Sequence, residues 1–175
     1  MLGEKITEAT KGGRKTYLNL TNGAVVKRTP EGEERYSYVA GRVIAISQKE
    51  RTFRGETVMY WYIDLKDVTS GEVYSLGFPY SSNTFKSVIL QLSSRKGLAN
   101  VANGSTIKIE PYLSGKYTNV QLYTDDGKLE WAVKELPAVE VKVAGGIKVK
   151  DDTKRMALIE ALTKSVKANI NTSAN

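Results

Sequence analysis

The chain has no cysteine and no histidine among its 175 residues. The first absence excludes a disulfide framework and any thiolate metal site. The second excludes imidazole-based triads, histidine acid–base pairs and most zinc sites. Chemistry would have to rest on lysine or on carboxylates. Asp64, Glu72 and Glu110 lie on different predicted strands and could converge, but nothing in their spacing requires it. The chain is therefore expected not to be an enzyme and to hold no metal or cofactor. No apolar run reaches transmembrane length, and the start "MLGEKITEATKGG" is too charged for a signal peptide. A cytoplasmic protein with no membrane partner is the expectation.

What is present is tyrosine and positive charge. Ten Tyr stand against 3 Phe and 2 Trp, and the net charge is +7 with a pI near 9.4. Tyrosine suits a surface that is apolar on one side and wet on the other. A basic excess favours anionic partners. The excess lies in residues 1–60 and 131–175, while residues 61–130 are balanced.

Periodicity divides the chain into three parts. Residues 1–34 make an arm and a β-hairpin, with strands over about 15–20 and 24–28 turning at Asn22-Gly23, where both residues tolerate positive φ. Residues 29–34 read as a loop. Residues 35–127 carry a long strand (35–48) with a bend or bulge at Gly41, a polar loop (49–56), and strands over 57–65 and 72–78. A helix follows over 82–95, capped by Ser82 or Asn83, then a loop, then strands over 106–113 and 117–124. Residues 128–175 add two short strands (128–136 and 138–146) and an amphipathic helix from about 152 to 169 with the stripe Met156, Ile159, Leu162 and Val166. The class is mainly β. Three strands, a helix and two strands match a five-stranded OB-fold-like Greek-key barrel with its helix between strands 3 and 4.

The strand "VMYWYIDL" (58–65) carries the functional reading. Alternation puts Met59, Trp61, Ile63 and Leu65 on the core face and Tyr60 and Tyr62 on the other, unless a bulge exchanges the faces. Two tyrosines about 7 Å apart along a strand can stack on successive unpaired bases. The alternative is that they pack under the N-terminal hairpin or the C-terminal extension. The segment "QKERTFRGE" interleaves Lys49, Arg51 and Arg54 with Phe53, which suits phosphates and bases as well as a solvated hairpin tip. The turn "YLSGKY" supplies Tyr112, Lys116 and Tyr117. Arg42 joins these candidates with its face left open by Gly41. Arg14, Lys15, Lys27 and Arg28 bracket the hairpin and extend the basic track or simply solubilise it.

Residues 35–124, in particular "GRVIAISQKERTFRGETVMYWYIDL", "EVYSLGF" and "TIKIEPYLSGKYTNVQLY", resemble OB-fold single-stranded DNA-binding proteins of the compact bacteriophage and mobile-element type. The resemblance implies sequence-tolerant binding of single-stranded DNA, with RNA not set aside, during replication or recombination in a bacterial cell. It makes Tyr60 and Tyr62 stacking residues and Lys49, Arg51, Arg54 and Lys116 phosphate contacts. The end "VKANINTSAN" departs from the acidic tail by which replicative members recruit partners. A second reading is a structural or assembly protein that uses the barrel surface and forms homo-oligomers through the final helix.

Overall fold

A computed structural model describes residues 15–170; the polar start, Arg14 and residues 171–175 lie outside them. The described chain is mainly β. Strand β1 (Lys15–Thr21) and β2 (Ala24–Thr29) turn at Asn22 and Gly23, whose φ values of 50° and 72° are those the hairpin signal requires. Residues 29–34 are not a loop: Pro30 and Glu31 make a second turn into β3 (Gly32–Tyr36). The expected strand 35–48 therefore breaks at Ser37 and Tyr38, and β4 runs from Val39 to Phe53.

Strand β5 (Glu56–Lys66) pairs with β4 along its whole length. The expected loop 49–56 is instead a two-residue turn, with Arg54 at φ 48° and Gly55 at φ 82°. Thr52, Phe53, Thr57 and Val58 favour extended backbone on both sides of it. Gly41 is not the bulge. The extra residue is Ile44, between Val43 and Ala45, while Gly41 lets β4 pass close to the Lys66 carbonyl. Strand β6 (Val73–Pro79) completes the meander.

Two helices follow rather than one. Helix α1 (Asn83–Leu92) is capped by Ser82, whose Oγ accepts from Phe85 N. Helix α2 (Arg95–Asn103) occupies the expected loop, capped by Ser94 and closed by Gly104 at φ 67°. Strands β7 (Ile107–Ser114) and β8 (Tyr117–Thr124) form a hairpin, with β9 (Gly127–Lys128) beside β8. The strand expected over 128–136 is absent beyond β9. The ribbon of β10 (Glu140–Ala144) and β11 (Ile147–Asp151) stands as a separate two-stranded sheet. Helix α3 (Thr153–Asn169) begins where the Asp151 carboxylate accepts from Thr153 N.

Among the described residues nine strands form one mixed sheet in the order β3-β2-β1-β6-β5-β4-β7-β8-β9, parallel there only between β1 and β6. It is open, not a closed barrel. An OB-type barrel would close the free edge of β6 on β8; here β1 takes that edge, because Leu18 buries an apolar side chain in the core from it. The two sides of the sheet share the buried core through Leu18 and Val25, and Gly23 N of the β1–β2 turn donates to Thr118 Oγ1 of β8 at 3.1 Å. Trp61, Ile63 and Leu65 of β5 and Ile107, Ile109 and Leu122 of β7 and β8 form the core with α1 and with Met156, Ile159 and Val166 of α3. Trp61 stacks on Phe85, with centroids 4.7 Å apart.

Tyr80 joins this packing by stacking on Trp61 and bonding to Glu160. Burial first, then Glu160, pushes its pKa from 10.0 to about 12. Tyr74 is pushed to about 12 by its hydrogen bond to Glu72 and then by burial. A folded-state pKa above the unfolded one contributes stability that is complete below the unfolded value, here pH 10. It is lost as the pH rises toward 12. Tyrosinate absorbance should therefore show a late fraction ionising together with loss of structure. A single transition near pH 10 in a chain that stays folded would contradict this.

Candidate nucleic-acid interface

The arm formed by the ends of β4 and β5 sets the site. In an antiparallel pair, opposite residues share a face. Lys49 is opposite Tyr60, Arg51 opposite Val58 and Ser47 opposite Tyr62. Lys49, Arg51 and Phe53 therefore line up at period two beside Tyr60 and Tyr62, on the sheet face away from the helices. Strand β1 adds Tyr17 and Asn19 from across β6, and β2 adds Arg28. Tyr17, Asn19, Arg28, Arg51, Phe53, Tyr60 and Tyr62 enclose an open groove of about 750 Å³, with Lys49 beside it over the Tyr62 ring.

The rings form a row. Phe53 and Tyr60 centroids are 6.2 Å apart, and Tyr60 and Tyr62 are 6.3 Å apart, with planes inclined by 33° and 30°. Two stacking distances of about 3.4 Å would be needed to admit a base between neighbours, so a base would lie on a free ring face. Phe53 is 52% exposed and Tyr60 half-buried. Tyr62 is 5% exposed, which corrects its assignment as an open stacking residue. Tyr17 meets it edge-on at 6.2 Å, and Lys49 lies 5.9 Å above its ring. Tyr17 itself is 54% exposed and takes the place on the surface that Tyr62 lacks.

Cations are threaded through the rings. The Arg51 guanidinium lies 5.8 Å from both the Phe53 and Tyr60 centroids and donates to the Tyr62 hydroxyl, a hydrogen bond that raises its already high pKa. These contacts are cation–π geometry, in which a planar guanidinium stays charged while resting on a ring. Gly77 of β6 floors the groove; a Cβ there would stand 3.0 Å from the Tyr62 ring. Behind Tyr62, Asp64 is buried with one oxygen paired to Lys15 at 2.8 Å and the other without a partner among the described residues. This bond raises the Lys15 pKa, so Lys15 anchors β1 rather than extending the basic track.

The structure thus brings together Lys49, Arg51, Phe53, Tyr60 and Tyr62, and places Arg54 at the exposed turn beyond them. Arg42 is not part of this surface. It is buried against Gly104, beside the C-terminal end of α2, where the helix dipole favours a cation. Tyr112, Lys116 and Tyr117 are exposed on the β7–β8 hairpin, with Lys116 resting 5.4 Å from the Tyr117 ring; none of them lines the groove. Lys27 lines a different hollow with Tyr36, Tyr38 and Tyr74. Tyr17 and Arg28 complete the groove. The alternation in "KTYLNLT" marks the Tyr17 and Asn19 face, and only the parallel pairing with β6 brings it to Tyr62.

Asp64, Glu72 and Glu110 do not converge: each has its own partner, in Lys15, Tyr74 and Lys108. No cluster of three or more potential metal ligands occurs among the described residues. No helix among them is long and apolar enough to cross a membrane. Comparison with protein-family models, curated proteins and solved structures finds no match to this chain.

Proposed function

We propose that the chain is a non-enzymatic binder of single-stranded DNA that holds bases on the exposed rings of Phe53 and Tyr17 and the half-buried ring of Tyr60, and phosphates on Arg28, Lys49, Arg51 and Arg54. The observation that carries this is the row of rings with Arg51 set among them. Stacking tolerates any base, and cations follow the backbone without reading sequence. Strand β4 pairs with both β5 and β7, and the helices intervene before β7, which supports an OB-like meander opened by the insertion of β1. Protection of exposed strands in replication or recombination is the role such a surface serves. The assembly reading has less support, because the buried residues of α3 (Met156, Ile159, Thr163 and Val166) are already covered within the chain.

Quenching of tyrosine emission by oligo-dT, titrated across salt concentrations, tests the proposal. Four phosphate contacts predict that log K falls against log salt with a slope of about −3. Failure to bind oligo-dT at low salt would remove the reading. Oligo-rU in the same titration ranks RNA against DNA.

A further inference from the structure

We propose that the outer face of β7, β8 and β9 is a second site for single-stranded nucleic acid, an inference that rests on reading the groove as the first. Period two places Lys108 opposite Tyr123, and Lys128 opposite Tyr123 on its other side. Lys108 Nζ lies 4.6 Å from the Tyr123 centroid and 5.4 Å from that of Tyr38, so one ammonium sits between two rings. Lys128 lines the hollow beside Tyr123 and also the next one, about 440 Å³, whose wall is Trp131 with Arg95 and Lys96. The succession Tyr38, Lys108, Tyr123, Lys128, Trp131 alternates ring and cation, with Lys108, Tyr123 and Lys128 on the strands and Tyr38 and Trp131 in the segments flanking them.

Two features mark this face as more than a solvated surface. Trp131 is 47% exposed, whereas Trp61 is 5% exposed in the core. A large ring left open beside cations is suited to stacking on a base. The carboxylates present do not close the face. Glu110 pairs with Lys108 at 3.4 Å with both side chains open to water, a weak contact that phosphate can replace. Glu130 is the acidic group lining the Trp131 hollow, against Arg95, Lys96 and Lys128. The groove does not reach this far. Ala40, beside Lys108, and Lys49, beside Tyr60, are separated by about 30 Å along β4 at 3.3 Å per residue.

Oligo-dT of about 6 and about 30 nucleotides, at the low end of and beyond the 4–16 covered by one OB-sized surface, separates the sites. The longer strand is expected to quench indole emission in the native protein, and Trp131→Phe should abolish that signal because Trp61 is buried. Lys108→Gln with Lys128→Gln should weaken the longer strand about ten-fold and reduce the salt slope by about 1.4, leaving the shorter strand within about two-fold. Unchanged indole emission and unchanged long-strand affinity in that double variant, with Arg51→Gln still weakening both strands, would overturn the second site and leave the groove standing. Failure of either strand to bind the native protein would overturn both.

Discussion

Replacing Phe53 and Tyr60 together by alanine is expected to weaken oligo-dT binding by about 100-fold, with the fold intact. Each stacking contact contributes roughly 1–3 kcal/mol, and two such contacts at the middle of the range exceed the 2.7 kcal/mol that 100-fold requires. Phe53 stands at the open end of the arm, and Tyr60 is half-buried, so truncation removes little core. The contrast is Tyr62→Ala. That ring is wedged among Tyr17, Lys49, Arg51 and Gly77, and its loss is expected to lower stability by about 3 kcal/mol. Circular dichroism melting beside fluorescence titration reads the two outcomes separately. A Phe53→Ala, Tyr60→Ala protein that binds within a few-fold of the native one would show that these rings serve packing alone.

The second large effect lies away from the groove. Gly97→Ala is expected to destabilise the chain by about 3 kcal/mol. At Gly97 a Cβ would stand 2.3 Å from the Gln91 carbonyl oxygen and 2.4 Å from that of Leu92, both of them backbone. Neither atom can swing aside without opening the elbow between α1 and α2. Alanine is the better helix former by about 1 kcal/mol, and the clash outweighs that gain. Urea unfolding should show the midpoint falling by roughly 1–2 M at unchanged slope. An unchanged midpoint would mean that the elbow opens freely.

These two sites also mark where the sequence is and is not legible. The core face of β5 is plain, because Trp61, Ile63 and Leu65 alternate with polar or aromatic partners and strict alternation has one buried side. The arm is not. Its residues 48–58 are exposed on both faces, so no apolar periodicity arises and Lys, Glu and Arg look like a loop. Helix α2 is concealed by Gly97, Asn100 and Asn103, poor helix formers whose presence the tight elbow and the Gly104 cap explain. Tyr60 and Tyr62 are equivalent by alternation; only the arrival of Tyr17 from a parallel strand separates a surface ring from a buried one. Arg42 needed the position of Gly104, a long-range fact that local spacing does not contain.

A sheet that does not close has rims, and each rim is an invitation for another copy to add its own backbone. On one side β9 is only two residues long, too short to template much pairing. On the other, every residue of β3 is open to water, and its middle reads Glu33, Glu34, Arg35. Ionised side chains there make edge-to-edge addition of an identical molecule unfavourable at that rim.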